Sequence, residues 1–331
     1  MQITVISDGA WGTALALTLL QNSHTVTLWG PFEDYINEMQ KSRVNSRFLP
    51  SVKLPNELKL TANMTEAIAN SEMIVLATPS QYLRQTLEQL KPCYNEQLIV
   101  NVAKGIEKDS LMRMSEICHE ILGDNIPYCV LSGPSHAEET AKKLPTVVTI
   151  AAKNEQDAKI AQEAFMTDYF RVYTHSDIIG LELGGAFKNV MAIAAGIADG
   201  MELGDNPKAA LITRAIVEMS RLGVALGGKE KTFSGLGGVG DLIVTCNSTH
   251  SRNRHVGEEL GRGKSLDEIL NDMGMVVAEG VVTTKSAYDL ARKYDVKTPI
   301  IDEVYNILYA DKSPQKALME LMTRSPKNEW E

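Results

Sequence analysis

Residues 3–12 read Ile3-Thr4-Val5-Ile6-Ser7-Asp8-Gly9-Ala10-Trp11-Gly12, and this stretch decides the fold of the N-terminal half. The β-branched run predicts a buried strand, and the glycines after it predict a turn into a helix that begins near Ala10. The pattern is a G-x-G-x-x-G dinucleotide fingerprint with Ser7 at its first glycine. Gly9 lets the backbone approach a pyrophosphate, and Gly12 allows close packing of helix on strand. The alternative is an ordinary strand–turn–helix junction.

Short apolar runs alternate with helical patterns along the rest of the first half. This alternation predicts an α/β fold with a Rossmann-like, doubly wound, mainly parallel sheet. From about Ile178 onward strand signals give way to long helical patterns, so we expect an all-α C-terminal domain. The predicted domains are a dinucleotide-binding domain at residues 1–178 and a helical substrate domain at residues 179–331. The predicted strands are Ile3–Ile6, Thr25–Trp29, Met73–Ala77, Gln97–Val100, Tyr128–Leu131 and Thr146–Ile150.

The end of the second predicted strand leaves the choice between NAD and NADP open. A carboxylate near this point commonly binds the ribose of NAD, and an arginine accommodates the phosphate of NADP. The strand ends at Trp29-Gly30-Pro31, which carries neither. Glu33 and Asp34 follow slightly late, and Lys41 and Arg43 are further on.

Composition and charge bound the class of protein. The chain has 331 residues, 44% of them apolar and 23% charged, which favours a globular protein of two domains. Its net charge of −9 argues against broad nucleic-acid binding, which needs a basic face. A local basic pocket for an anionic ligand remains compatible with that charge.

The cysteines and the apolar runs indicate a cytoplasmic protein. The four cysteines lie far apart without a Cys-x-x-Cys pair, so no zinc or dithiol motif is present and no metal is expected. We expect reduced, mostly buried thiols. No signal peptide is evident, and the longest apolar run, Val190 to Ala198, is too short to insert into a membrane.

One lysine interrupts an apolar helical run at residues 185–196, Gly-Ala-Phe-Lys-Asn-Val-Met-Ala-Ile-Ala-Ala-Gly. A buried ammonium group is costly unless it is paired or has lost its proton. A lysine whose pKa is lowered suits proton transfer near neutral pH, so Lys188 is a candidate catalytic residue. The alternative is a lysine at the helix edge that extends into water.

Two further candidates follow predicted strands. Lys104 lies just past one strand, and Ser132-Gly133-Pro134-Ser135 lies just past the next. Ligands of open α/β sheets bind beyond the carboxyl ends of the strands, so both are site candidates. The alternatives are a solvated loop lysine and a plain turn.

The helical half carries a glycine-rich turn and a basic cluster. Gly237–Asp241 enters a helix on which Asp241 and Thr245, four residues apart, share a face. Asp241 could instead be a simple N-cap. Arg252 and Arg254 suit a phosphate or a carboxylate, unless they are two solvated arginines on a surface turn.

A helical stripe between these motifs predicts ordinary core packing. Leu211, Ala215, Met219 and Leu222 are among its apolar positions. Arg214, Glu218 and Arg221 are expected on another, polar face.

Taken together, the motifs resemble the bacterial, soluble type of NAD(P)-dependent sn-glycerol-3-phosphate dehydrogenase. The resemblance covers nearly the whole chain, and several motifs in the same order are more specific than any one of them. Ser7 stands where the family usually has glycine, and Pro31 where many relatives have a basic residue. The motifs that carry the resemblance are Gly9–Ala16, Asn45–Pro50 with Leu54-Pro55, Ala103–Glu107, Leu131–Ser135, the Lys188 run, Gly237–Asp241, Ser251–Arg254 and Val277–Gly280.

The resemblance implies a role for each matching residue. Lys188 would be the proton acceptor, with Lys104 and Asp241 beside it as catalytic residues. The cofactor, NAD or NADP, would be bound by Gly9, Ala10, Trp11, Gly12, Lys104, Ala137, Arg252, Val277 and Glu279. The phosphorylated substrate would be bound by Lys104, Gly133, Ser135, Lys188, Asp241, Thr245, Ser251, Arg252 and Asn253.

The implied reaction interconverts sn-glycerol 3-phosphate and dihydroxyacetone phosphate and supplies glycerol 3-phosphate for phospholipid synthesis. A free lysine has a pKa of about 10.4, so proton transfer by Lys188 near neutral pH requires that its pKa be much lower. Burial and Lys104 would lower its pKa, whereas Asp241, if close, would raise it. Two alternatives stay open: a related two-domain dehydrogenase of 3-hydroxy acids or sugar acids, and a non-catalytic dinucleotide sensor. Exposed faces of the helical domain could form a homodimer.

Overall fold

An eight-stranded sheet forms the core of the N-terminal half. The computed structural model describes residues 1–274, 277–326 and 328–329. The sheet order is β10-β9-β8-β7-β6-β1-β2-β5, and only the pairing of β8 with β9 is antiparallel, so the predicted α/β, mainly parallel architecture is confirmed. The strands are β1 (Gln2–Ile6), β2 (Thr25–Trp29), β3 (Val44–Asn45), β4 (Leu49–Lys53), β5 (Lys59–Thr61), β6 (Met73–Leu76), β7 (Leu98–Asn101), β8 (Tyr128–Ser132), β9 (Thr146–Ala152) and β10 (Phe170–His175).

The six predicted strands are all present, but four others are not foreseen by the sequence analysis. β5 and β10 extend the sheet at its two edges, and β3 and β4 form a separate antiparallel pair. β10 is buried on one face only, with Phe170 and Val172 inside and Arg171 and Tyr173 outside. Its apolar run is therefore discontinuous, unlike the runs of the central strands that are buried on both faces.

Helices flank the sheet, and after β10 the described part of the chain contains helices and connecting loops but no strand. The first of them begins at Ala10, as predicted. The helices are α1 (Ala10–Gln21), α2 (Glu33–Ser42), α3 (Met64–Ile68), α4 (Leu83–Leu90), α5 (Met114–Leu122), α6 (Ala137–Ala141), α7 (Glu155–Phe165), α8 (Ile178–Gly200), α9 (Asp205–Ala225), α10 (Glu230–Phe233), α11 (Asp241–Asn247), α12 (Arg252–Gly261), α13 (Leu266–Met273), α14 (Glu279–Lys293), α15 (Pro299–Tyr309) and α16 (Pro314–Met322).

Helix α8 is the central element of the helical half. By length and composition it could cross a membrane, but 83% of its apolar window is buried inside the protein, as in a core helix. Glycines let α12 pack directly on its backbone. A Cβ at Gly196 would lie 2.0 Å from the carbonyl oxygen of Arg254, and one at Gly257 would lie 2.0 Å from that of Ile193. This close contact fixes the start of α12 relative to Lys188 on α8.

The burial of Glu218 on α9 differs from the prediction. Its side chain was expected on the polar face, but the residue is only 4% exposed. Its carboxylate accepts hydrogen bonds from the backbone N–H groups of Ile300 and Ile301 and so caps the start of α15. Burial raises the pKa of Glu218 to about 7, although these two N–H groups pull it back. The acidic residue is therefore part of the core.

A second buried carboxylate, that of Glu182 on α8, holds the two halves of the chain together. It accepts hydrogen bonds from the backbone N–H and hydroxyl of Ser115, both at 2.7 Å, and from the hydroxyl of Tyr128 at 2.8 Å. It also pairs with Arg113 at 2.8 Å. One side chain thus links α8 to α5 and β8.

We expect Glu182→Ala to lower the free energy of unfolding by about 3–5 kcal/mol, because Arg113 and Tyr128 would keep their burial and lose their partner. Urea unfolding followed by circular dichroism measures this change. The control is Glu155→Ala, which removes an exposed ion pair with Lys159 and should leave stability nearly unchanged. Equal effects of the two substitutions would contradict the structural role of Glu182.

Candidate active site

A single buried carboxylate joins two lysines where the sheet meets the helical half. Asp241 Oδ1 lies 2.6 Å from Lys188 Nζ, and Asp241 Oδ2 lies 2.6 Å from Lys104 Nζ. Lys188 is 7% exposed and also donates to Thr245 Oγ1 at 2.8 Å. Lys188 is therefore a buried, paired amine, and the alternative of a lysine at the helix edge is wrong.

The fold brings these groups together from distant parts of the sequence. Lys104 follows the carboxyl end of β7, and its Nζ donates to the carbonyl oxygen of Gly133, just past β8, at 3.1 Å. Asp241 is the first residue of α11, with Gly240 at the capping position, so the N-cap alternative is wrong. Thr245 lies one turn later and donates to the Asp241 carbonyl oxygen at 2.6 Å, which confirms that both share one face.

Burial and charge act in opposite directions on this cluster. Burial lowers the pKa of Lys188 to about 8; Asp241 raises it and Lys104 lowers it further. Burial alone would raise the pKa of Asp241, but Lys104 and Lys188 together hold it below its ordinary value. Burial, Lys104 and Asp241 each shift the pKa of Lys188 in the direction expected from the sequence. A lysine with this pKa exchanges its proton near neutral pH.

The loop between β1 and α1 leaves the N-terminus of α1 without a side-chain cap and packs closely on that helix. No side chain caps the N-terminus of α1 at Gly9, so its first N–H groups face the loop. A Cβ at Gly12 would lie 2.1 Å from the carbonyl oxygen of Ser7. Ser7 itself has a φ of +105°, a conformation that favours glycine, so the serine at this position is strained. Ala10 and Trp11 pack against the small apolar cluster that contains Ala137.

The start of α12 lies against the start of α14. Ser251 caps α12 by accepting from the Arg254 N–H, and Asn253 Oδ1 accepts from the Gly280 N–H at 2.8 Å. Arg252 between them is exposed. Arg254 forms ion pairs with Asp199 at 2.7 Å and Glu258 at 3.3 Å. Its charge is therefore already paired within the protein, and it does not act with Arg252 on an anionic ligand.

The carboxylate of Glu279, the first residue of α14, connects the helical half to Ser80, which follows strand β6 of the sheet. It accepts from the backbone N–H of Ser80 at 2.8 Å and from the Ser80 hydroxyl. Burial raises the pKa of Glu279, while the bonds from Ser80 and the charge of Arg252 lower it. The charge of Arg252 therefore acts on this carboxylate. Val277, two residues before Glu279, is half-buried. The Ser135 hydroxyl, which follows β8, donates to the Gly133 carbonyl oxygen at 2.9 Å.

Sequence reasoning missed three residues of this region. Ser80 comes after the carboxyl end of β6, which is the position that singled out Lys104 on β7. Asn189 donates to the Lys104 carbonyl oxygen at 3.3 Å and directly follows Lys188. Asp8 lies inside the fingerprint loop, at a position where the fingerprint specifies no residue type. Within the described ranges, no group of three or more histidine, cysteine or acidic side chains is arranged to hold a metal.

Two family models together cover most of the chain. One, described as the NAD-dependent glycerol-3-phosphate dehydrogenase N-terminus, matches residues 2–158. The other, described as the C-terminus of the same enzyme, matches residues 177–319.

Individual relatives agree with these models over their full length. The glycerol-3-phosphate dehydrogenase [NAD(P)+] of Citrifermentans bemidjiense is 50% identical, with 99% of this chain and 98% of the relative covered. That of Bacillus subtilis (strain 168) is 47% identical, with 100% and 96% covered. The crystal structure of glycerol-3-phosphate dehydrogenase from Coxiella burnetii matches with a TM-score of 0.94 at 39% identity, covering 98% of this chain and 99% of that one.

Proposed function

Because the chain belongs to the NAD-dependent glycerol-3-phosphate dehydrogenase family, we propose that Lys188 is the group that moves the substrate proton in its active site. The chain is an NAD(P)-dependent oxidoreductase that interconverts sn-glycerol 3-phosphate and dihydroxyacetone phosphate. The observation that carries the proposal is the buried bridge in which one carboxylate, Asp241, holds Lys188 and Lys104 at 2.6 Å each. Loss of NADH or NADPH absorbance on addition of dihydroxyacetone phosphate tests the activity.

The cluster accounts for the proton chemistry. When bound, the nicotinamide ring supplies hydride transfer to or from C2 of the substrate. In oxidation, neutral Lys188 takes the proton of the C2 hydroxyl; in reduction, its ammonium form returns the proton to the C2 oxygen. Asp241 and Thr245 orient the amine, since both are hydrogen-bonded to it. Lys104, on the other carboxylate oxygen, polarises the C2 oxygen.

The remaining predicted residues bind and orient the two ligands. The start of α12 offers its N-terminal dipole and the Arg252 guanidinium to the substrate phosphate. Ser251 and Asn253 flank this arginine, and Gly133 and Ser135 lie on the sheet side of the site. Gly9, Ala10, Trp11, Gly12 and Ala137 would hold the pyrophosphate, and Val277 and Glu279 would contact the cofactor. Fixing both ligands in this way is what converts their encounter into an intramolecular reaction.

We expect Arg252→Ala to raise the KM for dihydroxyacetone phosphate about 10- to 100-fold, because a charge-assisted hydrogen bond to phosphate is lost. Steady-state kinetics with saturating cofactor measures this, and cofactor KM is measured alongside. Arg262→Ala, at the other end of α12, is the control and should leave both values unchanged. An unchanged KM for both ligands in Arg252→Ala would remove Arg252 from the site.

The two alternative functions are disfavoured by the family and by the site. The family assignment disfavours a dehydrogenase of 3-hydroxy acids or sugar acids, and the D-mandelate dehydrogenase structure, whose named substrate is a 2-hydroxy acid, shares the fold only, at 13% identity and a TM-score of 0.62. A non-catalytic sensor has no need for a buried amine whose pKa is lowered to about 8.

We also propose that the chain works in the cytoplasm and supplies glycerol 3-phosphate for phospholipid synthesis. Its dinucleotide-binding domain ends near residue 178, where α8 begins after the last strand of the sheet. Exposed faces of the helical domain form a homodimer; Met319 and Met322 on α16, which are 59% and 74% exposed, support this location.

A further inference from the structure

A buried carboxylate lies in the fingerprint loop without a partner for one of its oxygens. Asp8 is 5% exposed, and its Oδ2 accepts no hydrogen bond from any described residue. Burial raises the pKa of Asp8, while its own backbone N–H and the charge of Arg47 lower it. An unsatisfied buried acceptor destabilises a fold, so such a group is expected where a ligand supplies the missing donor.

The location of this carboxylate is the end of β2. A Cβ at Gly30, the residue after β2, would lie 2.6 Å from Asp8 Oδ2, so the carboxylate rests against the Gly30 backbone. The next two residues, Pro31 and Phe32, are exposed. Asp8 therefore lies directly under the surface at the point where β2 ends.

This point has a defined function in dinucleotide-binding folds. The pyrophosphate lies on the start of the first helix, and the adenosine ribose reaches the end of the second strand, where an acid receives its 2′-hydroxyl. In this chain no acid stands at the end of β2. Glu33 and Asp34 begin α2 instead, and both are exposed.

We propose that Asp8 supplies the missing carboxylate, accepts the adenosine ribose 2′-hydroxyl and makes this enzyme select NAD(H) over NADP(H). The inference rests on the proposed function, because it assigns the cofactor of that same site. A hydroxyl donor satisfies Oδ2, whereas a 2′-phosphate would bring a second anion against it.

Arg47 is the one nearby cation that could favour the 2′-phosphate among the described residues that act on Asp8. Its guanidinium is exposed and lies 4.0 Å above the ring of Tyr35. An exposed cation is screened by water and salt, but a buried carboxylate at the same edge is not. The carboxylate therefore decides the preference, and the charge of Arg47 opposes the effect of burial on the pKa of Asp8.

The test is equilibrium binding of each reduced cofactor in the absence of substrate. NADH and NADPH are titrated by fluorescence against the unmodified protein, Asp8→Asn, Asp8→Ala and the control Asp34→Asn, which removes an exposed carboxylate near the same edge. Displacement by ADP-ribose and by its 2′-phosphate repeats the comparison without the nicotinamide. Thermal melting without ligand checks that each variant is folded.

We expect the unmodified protein to bind NADH at least about 10-fold more tightly than NADPH, the difference that one charge-assisted hydrogen bond makes. Asp8→Asn and Asp8→Ala should weaken NADH binding about 10- to 100-fold and so reduce the preference for NADH over NADPH. Asp34→Asn should leave this preference unchanged. Equal binding of the two cofactors by the unmodified protein would overturn the inference. So would a ratio unchanged in the Asp8 variants, even if both affinities fall, because this indicates a structural role. Binding of neither cofactor by the unmodified protein would contradict the proposed function itself.

Discussion

Replacing Lys188 with alanine is expected to lower turnover in both directions by about 10²–10⁴-fold, the usual contribution of a positioned acid or base. Without the amine, the C2 hydroxyl proton loses its acceptor, and bulk water has little access to this position because Lys188 is only 7% exposed. Cofactor affinity should change little, because the fingerprint loop lies between β1 and α1, whereas Lys188 is on α8. Steady-state kinetics and fluorescence titration of NADH measure the two quantities.

Two further variants separate catalysis from packing. Lys188→Met keeps most of the buried volume and should lose the same turnover as the alanine variant without its cavity. Lys208→Ala removes another ion-paired lysine, held at 2.9 Å from Asp199, and should retain full turnover. Near-normal turnover in Lys188→Met would refute the role of the amine.

Replacing Asp241 with asparagine should have the second largest effect, because the buried Lys188 and the half-buried Lys104 lose their shared counter-charge. Asp241 raises the pKa of Lys188, so its loss moves that pKa below about 8. At a fixed pH above the new pKa, each unit of this shift reduces the ammonium fraction about tenfold, and reduction of dihydroxyacetone phosphate slows with it. The pH at which oxidation becomes active should move in the acid direction. The free energy of unfolding should fall by about 3–5 kcal/mol.

The matched control is Asp199→Asn, which also removes a carboxylate between two cations, Lys208 and Arg254. It should lower stability without moving the pH dependence of either reaction. The account of the cluster would be wrong if Asp241→Asn kept the pH profile of the unmodified enzyme, or if the inflection moved in the alkaline direction.

The central fold was predictable because its signals are local. β1, the glycine loop and the start of α1 are adjacent in the chain, and strands buried on both faces are continuous apolar runs. β5 has three residues and β10 alternates between faces, so neither stands out from its surroundings. Glu218 was misplaced because its partners, the N–H groups at the start of α15, are 82 and 83 residues away.

The same distinction applies to the site. Lys188 is conspicuous in its own helix, but its partner Asp241 is 53 residues away and only the packing of α11 on α8 reveals the pair. The sequence could give the sign of each effect on Lys188 but not the distances. Asp8 carried no signal, because its position against Gly30 depends on the pairing of β1 with β2.

The pH dependence of kcat/KM in both directions tests the central claim most directly. If Lys188 moves the proton, oxidation of glycerol 3-phosphate should rise with pH through about 8, because it needs the neutral amine. Reduction of dihydroxyacetone phosphate should fall through the same pH, because it needs the ammonium form. The shared inflection should be absent from Lys188→Met. Profiles without an inflection near 8, or an inflection that survives in Lys188→Met, would contradict the account.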